Sequence, residues 1–223
     1  MAEVHRARYA GTMENHTQAG RIVILNGAPR SGKSSIAAAI QERFDGPWMN
    51  LGVDAYVQIT PPRYRPGIGL RPGGERPDLE PFVATCYAAL YESVAAHSRL
   101  GLHVVVDVGH HDAYAEPRHT LTDAARRLAG LPALLVGVRC PLEVIMDRRN
   151  RGQAGREHRY VTGSAEDPVP APVLAWQHAV HAPGIYDLEV DTSVLTPEEC
   201  ADAIRRRFSE GAPPTALERL RAI

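Results

Sequence analysis

Eight consecutive residues, Gly27-Ala28-Pro29-Arg30-Ser31-Gly32-Lys33-Ser34, restrict what this chain can fold into more than any other stretch. They read G-x-x-x-x-G-K-S. The apolar run Arg21-Ile22-Val23-Ile24-Leu25-Asn26 precedes them, and Ser35-Ile36-Ala37-Ala38-Ala39-Ile40 follows. Strand, glycine-rich turn and helix form the context in which such a motif becomes a phosphate-binding loop. The glycines let backbone N–H groups curl around phosphate oxygens, and the start of the next helix adds its dipole. Residues Gly27 to Ser35 are expected to form that cradle. Lys33 should reach the β- and γ-phosphates, and the Ser34 hydroxyl is placed to ligate Mg²⁺. The first ligand to expect is a nucleoside triphosphate.

At 223 residues the chain suits one α/β domain with room for a full core. A formal net charge of −1 gives no electrostatic footprint for nucleic acid or an anionic membrane. No apolar run approaches the roughly 18 residues that a spanning helix needs. Met1-Ala2-Glu3-Val4-His5-Arg6 carries no apolar core of a secretory signal. Cys86, Cys140 and Cys200 are far apart, without metal-ligand spacing, and read as buried thiols. A reducing cytoplasm is the expected compartment, with no nucleic acid or membrane as partner and a homo-oligomer left open.

Apolar periodicity predicts five strand runs alternating with helices: strands at 21–26, 48–51, 102–107, 133–139 and 186–190, helices at 32–44, 79–98, 117–129, from 142, 173–181 and from 197. The strand runs do not alternate in polarity, so they are buried on both faces. That predicts a three-layer α/β/α fold around a five-stranded parallel sheet, the P-loop kinase arrangement. Thr196-Pro197-Glu198-Glu199 reads as a capping box with Pro at the first helical position. The domain is expected over 21–210, between a loose tail at 1–20 and a Pro-broken tail at 211–223 with one amphipathic turn. Residues 60–81 are too rich in Pro and Gly for regular structure, and such loops are commonly binding loops.

In parallel sheets ligands sit beyond the C-terminal strand ends. The phosphate loop, Asp54, Asp107 and Asp191 all fall at such ends. Phosphoryl transfer needs a carboxylate to orient and deprotonate the attacking hydroxyl, a carboxylate near the metal, and cations for the migrating charge. Asp107 ends Val104-Val105-Val106, the apolar-apolar-apolar-Asp pattern of a metal-side strand; its bland alternative is a turn cap. Asp54 follows Gly52-Val53, and its bland alternative is a helix N-cap. The cations would come from Arg148, Arg149, Arg151 and Arg156.

Taken together, these segments resemble the chloramphenicol phosphotransferase family. The likeness rests on Ile24-Leu25-Asn26-Gly27 entering the loop and on Pro47-Trp48 before Leu51-Gly52-Val53-Asp54. It continues in the Val-Val-Val-Asp strand, Val136-Gly137-Val138-Arg139-Cys140, Val180-His181 and Tyr186-Asp187-Leu188-Glu189-Val190-Asp191-Thr192. The blocks keep family order from about 21 to 208. The resemblance implies ATP as donor, Mg²⁺ as companion, Asp54 as catalytic base, and arginines of the fifth helix region, Arg148 and Arg151 first, as the cations. After Asp107 the chain reads Val108-Gly109-His110-His111 where the family can place a second Asp, so the metal role rests on Asp107 alone.

A small-molecule hydroxyl compound is therefore the expected acceptor, a chloramphenicol-like antibiotic by resemblance. A metabolite, sugar or nucleotide kinase, or a non-catalytic nucleotide switch, stands as the alternative; no Asn-Lys-x-Asp segment for guanine is present. Arg63, Arg65, Arg71 and Arg76 give the 60–81 segment more positive charge than an apolar antibiotic calls for. A wall made of them would indicate an anionic acceptor. Adjacent histidines on an extended stretch point opposite ways, so His110 and His111 are not expected to share a metal ion. His181 reads as a satisfied structural histidine.

Overall fold

The computed structural model describes residues 18–152 and 160–223. Five parallel strands form one sheet: β1 (Ile22–Asn26), β2 (Trp48–Gly52), β3 (His103–Val108), β4 (Ala133–Arg139) and β5 (Leu188–Asp191), in the order β2-β3-β1-β4-β5. β1 is central. Its residues pair with β3 from Ile22↔Val104 to Asn26↔Val108, and with β4 from Ile22↔Ala133 to Asn26↔Gly137.

Strand side chains alternate between faces, so each all-apolar run feeds two cores. Ile22, Ile24, Val104, Val106 and Leu135 meet α3 (Glu80–Arg99), α4 (Thr120–Arg127) and α8 (Ala216–Arg221) on one face. Val23, Leu25, Val105, Leu134, Val136 and Val138 meet α1 (Lys33–Arg43) and α7 (Pro197–Glu210) on the other. The expected three-layer sheet is thus present. A third cluster packs Ala28 of the phosphate loop with Ile145 and Met146 of α5 (Leu142–Asn150) and with Val173 and Trp176 of α6 (Ala171–Ala179). It clamps the loop to the helices that follow β4.

The start of α7 matches its sequence signature in full. The Thr196 hydroxyl accepts from Glu199 N–H at 3.2 Å, and the Glu199 carboxylate accepts from Thr196 N–H at 2.8 Å.

Three segments differ from the sequence expectation. The chain turns directly from β2 into a short helix, α2 (Val53–Ile59), with no loop between. Residues 60–81 are not structureless: 3-10 turns occupy Pro62–Tyr64 and Gly67–Gly69, and Ile68, Leu70 and Leu79 are buried. The supposed C-terminal tail packs as α8, with Ala216, Leu217 and Leu220 in the main core. Of the expected N-terminal tail, residues 1–17 lie outside the described residues, while Gly20 is held by Ser98 through hydrogen bonds in both directions.

Candidate active site

The C-terminal ends of β1, β2, β3 and β5 open onto a cleft of about 820 Å³ lined by the phosphate loop, α2, the Gly67–Gly69 turn, the end of α5 and α6. Gly32 adopts φ +97°, a left-handed conformation that L side chains rarely enter, and this lets the loop turn into α1. Arg30 also has a positive φ, 74°. This unfavourable turn is fastened from α5: the Arg148 guanidinium donates to Arg30 O at 3.3 Å and Thr192 O at 2.7 Å, and Arg30 donates back to Arg148 O. Thr192, just past β5, adds a bond from its hydroxyl to Ser31 O at 2.7 Å.

Inside the cradle, Lys33 Nζ donates to Gly27 O at 2.9 Å and Ala28 O at 3.0 Å, and lies 3.6 Å from the Asp107 carboxylate. Ser34 Oγ donates to the other Asp107 oxygen at 2.6 Å. A hydroxyl and a carboxylate side by side, next to a buried ammonium, are the oxygen donors that a hard divalent cation requires. On its other side β2 packs tightly against Asp107 because it ends in glycine: a Cβ at Gly52 would stand 2.8 Å from Asp107 O.

Asp54 lines the same cleft. It is the second residue of α2 rather than its N-cap, which is Gly52, so the capping alternative does not describe it. A carboxylate in a helix's first turn is favoured by the helix dipole.

The arginines sort differently from the order expected. Arg148 lines the cleft, but its guanidinium is occupied by Arg30 O, the Thr192 hydroxyl, Thr192 O and Cys140 Sγ. Arg151 is not at the cleft; it ion-pairs with Asp147 one turn back and is 76% exposed. Arg149 takes the cleft position instead. It is 5% exposed, donates to Pro29 O at 3.4 Å and Val161 O at 3.2 Å, and keeps a buried Nε with no partner. Burial pushes its guanidinium down to about 10, with Arg30 and Arg71 pushing the same way, so it remains charged at neutral pH. Arg156 lies outside the described residues. Asp191, also expected near the site, caps the turn after β5 by accepting from Ser193 N and Oγ.

His110 and His111 are buried and point apart. His110 stacks on Tyr87 and contacts the Tyr91 hydroxyl at 2.7 Å and Thr120 Oγ1 at 2.9 Å. His111 bonds Leu70 O at 2.9 Å and packs edge-on against Trp176. Neither reaches a metal cluster; no group of three His, Cys, Asp or Glu side chains fit for one exists among the described residues. His181 is satisfied by the Tyr186 hydroxyl at 2.8 Å, the structural role expected for it. Thr192, Tyr160 and Trp176 line the cleft as well, and of the arginines expected on the 60–81 wall Arg71 is the one that does.

Sheet order, loop and cleft together define a P-loop kinase fold. The sequence profile described as "Chloramphenicol phosphotransferase-like protein" matches residues 20–209. The chain belongs to that family and is a small-molecule phosphotransferase. Two Mycobacterium tuberculosis proteins, of which one is named "Putative O-phosphotransferase Rv2636", are each 27% identical over 216 residues, covering 91% of this chain and 88% of theirs. Among solved structures, M. tuberculosis APS kinase CysC in complex with AMPPNP and APS matches with TM-score 0.55 at 17% identity, covering 86% of this chain and 99% of that one. Shikimate kinase from Acinetobacter baumannii in complex with shikimate matches with TM-score 0.55 at 12% identity, covering 86% and 94%. These structural likenesses are of fold. No helix among the described residues is long and apolar enough to cross a membrane.

Proposed function

We propose that the protein transfers the γ-phosphoryl group of ATP to a hydroxyl of a small molecule. The observation that carries this is one cleft holding the phosphate loop, the Ser34–Asp107 pair and a second, separate carboxylate, Asp54. A nucleotide switch needs the first two and has no use for the third. Asp54 accepts the acceptor's proton as the new O–P bond forms, the β–γ bridging bond breaks, and ADP leaves. Lys33 turns from the carbonyls of Gly27 and Ala28 to the migrating charge, and Arg149 adds a second cation in a partly dry site. Arg148 acts one step back, holding Arg30 and Thr192 so that the loop keeps its shape.

Ser34 and Asp107 would hold Mg²⁺, which when bound screens the phosphate charge. Unpaired, buried Cys86, Cys140 and Cys200 support a reducing cytoplasm as the setting. A chloramphenicol-like antibiotic fits the family's name, while a metabolite or sugar fits the same chemistry. ATP-dependent phosphorylation of a hydroxyl panel, followed by mass shift of the acceptor, tests the reading. A folded Asp54→Ala variant that turns over at the wild-type rate removes the assigned base.

A further inference from the structure

The arginines of the 60–81 segment have separate fates. Arg65 is spent on the chain itself, donating to Thr60 O at 2.6 Å and Gln58 O at 3.0 Å. Arg76 is paired with Asp78 at 2.7 Å, and Arg63 lies over the Tyr64 ring. Arg71 alone among them lines the cleft, half-buried, and it has no hydrogen-bond or ion-pair partner among the described residues.

Its place is fixed from both sides. Leu70, immediately before it, is buried, and its carbonyl accepts from His111 Nε2; two residues after it, Gly73 N–H donates to Ala113 O at 2.7 Å. The preceding Gly67–Gly69 turn packs on α2, where Gly69 approaches Val53. Arg71 therefore stands on the wall that carries Asp54. It is near enough to Arg149 to disfavour that residue's charge.

Among the described residues, five cations and two carboxylates line the cleft: Arg30, Lys33, Arg71, Arg148 and Arg149 against Asp54 and Asp107. Lys33, Arg30, Arg148 and Arg149 all bond to or around the phosphate loop. Arg71 does not. A guanidinium in a half-buried wall with no partner among the described residues is a standing cost unless an anion fills its fork.

We propose that the acceptor carries its own oxyanion, a carboxylate, phosphate or sulfate, which Arg71 holds bidentately while the acceptor hydroxyl faces Asp54. The apolar part of that compound lies against Tyr87, Val57, Ile68 and Trp176. His111 is a positioning residue for this contact through Leu70 O. The proposal rests on the O-phosphotransferase reading and narrows its acceptor class.

Matched pairs test it: hydroxycarboxylates against their methyl esters, sugar and nucleoside phosphates against the parent alcohols, with chloramphenicol as a neutral reference. ADP formation and acceptor mass are followed with Mg·ATP. The anionic member of at least one pair should be preferred by about tenfold to a hundredfold in kcat/KM, the range of a charge-assisted bond. Arg71→Gln should erase that preference through acceptor KM, with Arg71→Lys restoring part of it. Which pair responds separates carboxylate from phosphate. A preference for neutral members, phosphorylation of chloramphenicol with no anion effect, or a response to no member overturns the anionic acceptor. So does an Arg71→Gln defect confined to the KM for ATP. Neutral acceptors that are phosphorylated leave the O-phosphotransferase standing, whereas ADP formation independent of every acceptor removes both.

Discussion

Asp107 serves two neighbours at once, accepting from Ser34 at 2.6 Å and drawing Lys33 to 3.6 Å. Neither contact is visible in the sequence, yet both follow from it, since the apolar β3 run delivers Asp107 to the sheet edge beside the loop. Lys33→Ala is expected to fold and to lose transfer by a factor on the order of 10³ or more, read from initial rates on a protein whose melting curve is unchanged. His110 carries a second residue-scale consequence. Burial, with His111 beside it, lowers its pKa from 6.5 to about 3, so the folded protein holds it neutral. The unfolded chain binds a proton below pH 6.5 that the folded one refuses. The stability this group contributes is thus present above that pH and lost as the pH falls toward 3. Denaturation midpoints should drop by the equivalent of roughly 2 kcal/mol between pH 7 and pH 5, and less in His110→Gln.

At the scale of elements, the long periodic segments were legible and the short ones were not. β1, β3, β4, α3 and α7 sit within a residue or two of their expected bounds because burial on one or two faces imposes a period on the sequence. α2 escaped because seven residues give fewer than two full turns and none of its residues is buried. α8 shows in the sequence only as one amphipathic turn in a tail, since six residues do not reveal the groove beside α4 that receives them. Leu220 is 1% exposed there, so Leu220→Ala should cost about 2–4 kcal/mol in chemical denaturation, against little for a true tail. On α5 the sequence carries a signal for Arg149 beside Arg148 and Arg151. Arg149 falls four residues after Ile145 and three after Met146, on the helix's buried stripe, and a charge on that stripe needs a reason to be there.

Across the whole molecule, the phosphate loop and the parallel sheet were legible because both are local patterns repeated in chain order. The cleft was legible only in outline. Arg71, Thr192 and Trp176 are separated in sequence and converge through sheet order and the turns of 60–81, which no local pattern encodes. The site is a junction of four strand ends with α2, α5 and α6, and the proposed chemistry depends on Asp54 facing phosphate held elsewhere. That claim is tested most directly by following the γ-phosphoryl group of ATP by ³¹P NMR, with the acceptor panel present, in wild type and in Asp54→Asn of equal nucleotide affinity. The account predicts phosphate appearing on an acceptor oxygen in wild type and transfer slowed by at least about a hundredfold in the variant. Equal transfer by both proteins, or phosphate released only to water, would contradict it.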